Sequence, residues 1–274
     1  MNLKTIIILI GFIFFSLGCN QISNTKTHEE DTNISFQNKG HELIYQMVRK
    51  VGSYSDLLKK NDVTYTYTYM TPDGKKNISM EKYLFNGELS YGFYYQHDKV
   101  LSDLTGPIEQ GYDGKEFWLK HTGHVINDHT LLEITAFNRA TNFYWFTMMQ
   151  KLLDSGLNYE YLGEDNFNGN DYYVVKVSFK KIDDKPTDIY QLYINKNTSL
   201  IDQFLFTIVD KGVIDAPFLM EMQYKKIDGM LIPFNRRYKK SNWNAEVTDD
   251  PWIIARWSEI RFDNGLKIDD FRKN

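Results

Sequence analysis

The chain has 274 residues, a net charge of −4 and 15% aromatic residues, with 19 Tyr and 18 Phe. Mild acidity without a basic block excludes a nucleic-acid-binding surface, which needs clustered lysine and arginine. A single cysteine excludes an internal disulfide framework.

The first forty residues read as export and anchoring signals. Lys4 is the only charge before the apolar run 6–15, which closes on Ser16, Leu17, Gly18 and Cys19. A basic start, an apolar core of about 7–15 residues and small closing residues make a secretory signal. The run is too short to cross a bilayer, which takes about 20 residues. Cys19 follows Leu17-Gly18, where a lipoprotein signal peptidase would cut. We expect residues 1–18 to be removed and Cys19 to carry diacylglycerol and an N-acyl chain, enough acyl chains for stable membrane anchoring. Asn20 is not the Asp-type signal for inner-membrane retention. The expected location is the outer membrane, on its periplasmic face in preference to the cell surface. Removing residues 1–18 takes away one lysine and no acid, leaving −5. Residues 20–40 are polar and without periodicity, so 19–40 reads as a lipidated tether. The body, 41–274, reads as one domain.

Within the body, residues 41–51 place Leu43, Ile44, Met47, Val48 and Val51 on one helical face. A second short amphipathic stretch, 54–60, follows Gly52. The period then becomes two: Tyr65, Tyr67 and Tyr69 alternate with Thr64, Thr66 and Thr68, the pattern of a half-buried strand. Asn86-Gly87, Asp113-Gly114, Asn168-Gly169, Asp228-Gly229 and Asn264-Gly265 stand between strand-like runs and read as hairpin turns, because type I′ turns need positive φ at both central residues. Residues 131–153 interrupt the strands. They hold no Gly or Pro and make about six helical turns, with Asp128 or Thr130 as cap. Residues 143–149 are apolar almost all round, so this helix needs cover on every side. The curl of a sheet, another helix or a ligand would supply it. The implied fold is α+β: a strongly curved antiparallel sheet of about ten to twelve strands with helices on its concave face.

Several segments carry a resemblance. They are the helix leading into the first Tyr/Thr strand, residues 112–118 (YDGKEFW), 162–164 with 168–175 (LGE, NGNDYYVV), 193–201 (YINKNTSLI) and 224–233 (YKKIDGMLIP). In order and spacing, over roughly residues 40–240, they resemble the LolA/LolB-like superfamily of periplasmic lipoprotein carriers and lipid-binding lipoproteins, and in particular a lipoprotein branch of it. The resemblance implies an incomplete barrel around a hydrophobic cavity, and binding of acyl chains without catalysis. A chain that is itself lipidated departs from the soluble carrier, which favours a fixed acceptor over a shuttle.

Acyl chains need a concave, mostly apolar pocket, and methionine and aromatic rings adapt to irregular apolar shapes. Phe143, Trp145, Phe146, Met148 and Met149 are the candidate ligand-binding wall; plain core is the other account of them. His121, His124 and His129 lie within nine residues. Their spacing is not a helical ligand pair, so they read as a surface loop and no metal is expected. There is no Gly-x-Ser-x-Gly elbow and no phosphate loop, so no catalytic residue or cofactor is assigned. Residues 242–252, with Trp243 and Trp252, read as a long hairpin connection, the alternative being a sugar- or partner-binding loop. The reading favoured is a non-enzymatic, membrane-anchored lipoprotein that binds a lipid or lipoprotein acyl chain, with an envelope protein as a further possible partner. The alternatives are an envelope scaffold with a self-filled core and a hydrolase acting on sugar or lipid.

Overall fold

A computed structural model describes residues 34–180 and 186–273. The expected signal segment, Cys19 and most of the expected tether lie outside the described residues. The body begins at Phe36.

The body opens with α1 (Lys39–Val51) and α2 (Tyr54–Lys59). Asn38 caps α1 by accepting from His41 N at 3.1 Å, and its Nδ2 donates to Tyr159 O at 2.7 Å. Phe36 packs its ring against His41 and Tyr45, 5.6 and 5.4 Å between centroids. Residues 36–40, expected in the tether, are therefore part of the body. The α1 face read from the sequence is the buried one: Leu43, Ile44, Met47, Val48 and Val51.

Thirteen strands follow: β1 (Asp62–Met70), β2 (Lys76–Leu84), β3 (Leu89–His97), β4 (Ile108–Tyr112), β5 (Phe117–His121), β6 (His124–Ile126), then α3 (His129–Lys151), then β7 (Leu157–Phe167), β8 (Asn170–Phe179), β9 (Ile189–Asn195), β10 (Ile201–Ile208), β11 (Val213–Ile227), β12 (Met230–Lys240) and β13 (Ile253–Phe262). They form one antiparallel sheet in the order β6-β5-β4-β3-β2-β1-β13-β12-β11-β10-β9-β8-β7. Each half is a meander. The seam joins the first strand to the last, with Val63 opposite Phe262 and Tyr67 opposite Trp257. Asp128 caps α3, its Oδ1 accepting from Leu131 N at 3.0 Å.

The sheet exceeds the expected ten to twelve strands because β4 to β6 are short. His121 and His124, expected in a loop, flank a tight turn at Thr122 and Gly123, both at positive φ, and so pair across the β5–β6 hairpin. Of the five Asn-Gly and Asp-Gly pairs read as hairpin turns, only Asn168-Gly169 and Asp228-Gly229 have positive φ at both residues; the other three close turns of different form or follow the last strand.

The sheet must curl. β5 and β10 stand eight places apart in the strand order, about 38 Å along a flat sheet at roughly 4.8 Å per strand. Yet α3, a cylinder about 10–12 Å across, packs against both. Leu131 and Leu132 touch the cluster holding Ile108 and Leu119, while Trp145 meets Phe206 edge-on at 6.1 Å. The result is an open half-barrel with α1 and α3 on its concave face. Alternation decides the rest: Val175, Leu192, Phe204 and Met220 point inward, and Val174, Tyr193, Leu205 and Leu219 point outward. That outer apolar patch is covered by the β12–β13 connection, whose Trp243, Ala245 and Trp252 pack on it. Residues 242–252 are thus a hairpin connection that seals the convex face.

Candidate functional site

A cavity of about 530 Å³ opens between α3 and the strands facing it. Helical geometry explains which α3 residues reach it. Phe137, Thr141, Tyr144, Trp145 and Met148 recur at three- and four-residue steps and line the space. The opposite face carries Thr135, Arg139, Phe143, Phe146 and Gln150, all buried. Both faces carry large apolar side chains, one because it packs on the sheet and the other because it walls the cavity.

Of the residues predicted from the sequence, Trp145 and Met148 line the cavity. Phe143, Phe146 and Met149 are placed elsewhere, in packed core. Phe146 stacks on Tyr65 at 4.9 Å, Phe143 meets Tyr83 edge-on at 5.2 Å, and Met149 is fully buried with its Sδ facing Tyr224 Oη. Sequence reasoning missed the strand side of the wall: Tyr67, Tyr69, Tyr94, Tyr190, Phe204, Phe206 and Tyr238. Its signal was present in the Tyr/Thr alternation of β1, whose tyrosines all turn inward.

The tyrosine hydroxyls are mostly engaged with one another. Tyr69 and Tyr238 share a hydrogen bond of 2.9 Å. Burial pushes Tyr69, Tyr144, Tyr190 and Tyr238 above the ordinary phenol range, so each stays neutral at physiological pH. The wall they present is therefore ring rather than charge. Charge appears at the rim, where Lys99, Asp210 and Lys211 are exposed yet border the cavity. Asp188, half-buried, accepts from Val209 N at 2.8 Å and Thr207 Oγ1 at 3.3 Å, and burial raises its carboxyl above the usual range. Among the described lining residues there is no histidine, cysteine, serine or glutamate.

Beneath the cavity a buried ion pair fixes α3 to the sheet. Arg139 and Glu81 are both fully buried, with Nη1 to Oε2 at 2.7 Å and Nη2 to Oε1 at 3.1 Å, the bidentate geometry. Ser79 Oγ and Tyr83 Oη also donate to the carboxylate, at 2.6 and 3.1 Å. Arg139 Nη2 donates to Tyr94 Oη at 2.9 Å, so the network reaches a residue that lines the cavity. Gly92 makes room: a Cβ there would lie 2.7 Å from Arg139 Nη1. A second buried arginine, Arg236, donates to Trp145 O at 2.6 Å and lies over the Trp257 ring at 4.5 Å. Without a carboxylate beside it, burial lowers its pKa to about 10.

The three histidines read as a surface group do not converge. His121 Nε2 lies 2.6 Å from Thr105 O, and His129 faces Glu133 at 3.6 Å. No group of three or more metal-ligating side chains occurs among the described residues.

No family model matches the sequence, and no curated protein matches it. Solved structures similar to the chain include a DUF1329 family protein from Desulfovibrio piger, at 17% identity over 85% of this chain and 95% of that one, TM-score 0.49. A LolA superfamily protein from Nitrosomonas europaea is 12% identical over 81% of this chain and 98% of that one, TM-score 0.45. The lipoprotein LppX of Mycobacterium tuberculosis is 10% identical over 83% and 98%, TM-score 0.31. The fold is the α+β arrangement that the order of hairpins in the sequence implied: a single curved, open antiparallel sheet around a helix.

Proposed function

We propose that the chain is a lipoprotein of the bacterial envelope, lipidated at Cys19, that holds a hydrophobic ligand under α3 without transforming it. The observation that carries this reading is the second apolar face of α3. Tyr144, Trp145 and Met148 pack at one side against Tyr190, Phe206 and the inner core, yet beside them about 530 Å³ of space lined mostly by rings remains for something apolar to occupy. A cavity of this volume, mostly apolar with a few polar groups, is of the size and make-up of small-ligand sites. The tether and lipid on Cys19 would hold the body at the outer membrane, on its periplasmic face, as a fixed acceptor or a partner of another envelope protein.

The test is lipid extraction and native mass spectrometry of the full-length chain after purification from membranes. Lipid retained at near-unit stoichiometry is expected. A chain that carries no lipid and takes up none when offered would remove the ligand and leave a scaffold role, with the space filled only by solvent.

A further inference from the structure

The cavity differs from rim to interior in a way that specifies its ligand. The interior is ring and thioether: Trp145, Met148, Phe204 and Phe206, with tyrosines whose hydroxyls are largely engaged. The rim is cationic on two sides. Lys99 comes from the β3–β4 loop and Lys211 from the turn after β10. Neither ammonium has a carboxylate within ion-pair distance among the described residues, although Lys151 and Lys196, elsewhere on the body, each have one. Lys211 instead lies 4.2 Å over the Phe137 ring, itself a lining residue. Two carboxyls share the rim: Asp210, and Asp188, whose Oδ1 is turned to Val209 N and Thr207 Oγ1 rather than to either lysine.

Volume sets the number of chains. A cavity of about 530 Å³ has room for roughly 18 groups of the size of a water or methylene, at about 30 Å³ each. That is one long acyl chain. Two chains side by side would need about twice the space.

Resting on the ligand-binding reading above, we infer that the ligand is a single-chain amphiphile with an acidic head group, its tail under α3 and its oxyanion between Lys99 and Lys211. A carboxylate and a phosphate share this chemistry, so a fatty acid and a lysophospholipid of phosphate type both satisfy it. A neutral head would gain nothing from the two ammonium groups, and a second chain would have no place inside.

The experiment uses the full-length chain and displacement of a fluorescent fatty acid by four competitors below their aggregation limits. Hexadecanoate and hexadecanol differ only in the head. Palmitoyl lysophosphatidate and dipalmitoyl phosphatidate differ only in chain number. Hexadecanoate should bind about tenfold more tightly than hexadecanol, the scale of two partly exposed ionic contacts. Lysophosphatidate should exceed phosphatidate by at least about tenfold. In Lys99→Gln/Lys211→Gln, whose two positions are exposed, the gap between acid and alcohol should close through weaker binding of hexadecanoate. Equal affinity for acid and alcohol, or a gap that survives in the double variant, would overturn the head-group assignment. Equal affinity for one and two chains would overturn the single-chain assignment. Binding of none of the four sinks the ligand-binding reading itself, which is a separate failure. The ratio of hexadecanoate to lysophosphatidate affinity tells which acid the rim prefers.

Discussion

Replacing Glu81 with Gln isolates a buried charge, and the structure sets the size of the effect. Arg139 loses its carboxylate and keeps Tyr94 Oη as its one acidic or phenolic partner, in a site that is fully buried. Removing one partner of a buried ion pair costs about 3–5 kcal/mol, a large share of a typical stability of about 5–15 kcal/mol. For a body of this size that is a fall in Tm of roughly 6–20 °C, at about 2–4 °C per kcal/mol. Arg139→Met should cost less than Glu81→Gln. The carboxylate it strands still accepts from Ser79 and Tyr83, whereas the guanidinium stranded by Glu81→Gln cannot shed its charge. The double variant Glu81→Leu/Arg139→Met should be more stable than Glu81→Gln, because no charge is left stranded. Urea unfolding at neutral pH, followed by tryptophan fluorescence, measures all three. A loss below about 1 kcal/mol for Glu81→Gln, or a double variant less stable than Glu81→Gln, would refute the claim that this pair anchors α3.

Three further outcomes are expected. Cys19→Ala should move the chain from the membrane to the soluble fraction and abolish incorporation of labelled fatty acid; unchanged fractionation would remove the lipid anchor. Thr141→Trp projects bulk from the cavity face of α3 and should abolish lipid retention with little change in Tm, while Phe146→Ala, in core beside Tyr65, should cost about 3–5 kcal/mol; the opposite pattern in paired thermal melts and lipid extractions would reverse the assignment of the two faces. Stability should fall steadily as pH rises above 10.0, the ordinary phenol value, since burial raises Tyr67, Tyr83, Tyr190 and Tyr238 in the folded state. The unfolded chain then binds fewer protons than the folded one, so the stability present below that pH is lost above it. Absorbance of tyrosinate that tracks unfolding measures this, and full tyrosine titration of a still-folded chain would contradict it.

The helices and most strands were legible because each depends on local chemistry. Asp128 caps α3 as a short polar residue before an apolar run should, and the β1 tyrosines face inward as strict alternation requires. What was not legible depends on long separations. Glu81 and Arg139 are 58 residues apart, and nothing local marks one arginine in a helix as buried. That same residue was nonetheless the missed clue to the two faces of α3. With apolar side chains on both, hydrophobicity could not tell core from cavity, so Phe143, Phe146 and Met149 were grouped with Trp145 and Met148. Arg139, a polar residue set among the apolar ones, marks the side that bonds to Glu81.

The seam between β1 and β13 has a consequence for how the molecule comes into being. Val63 pairs with Phe262 across 199 residues of chain, so this ladder closes one of the longest loops the sequence allows. As a nascent chain emerges from its amino end, β1 to β6 can pair in turn as a local meander, and β7 to β12 can follow as another. β1 nevertheless keeps an open edge until the last strand arrives. For nearly the whole of synthesis or export that edge is a bare template for wrong partners. A chain shortened by its last twenty residues would lose more than an end: its two halves would have no ladder between them, only side-chain packing around α1, α2 and α3 to hold them together.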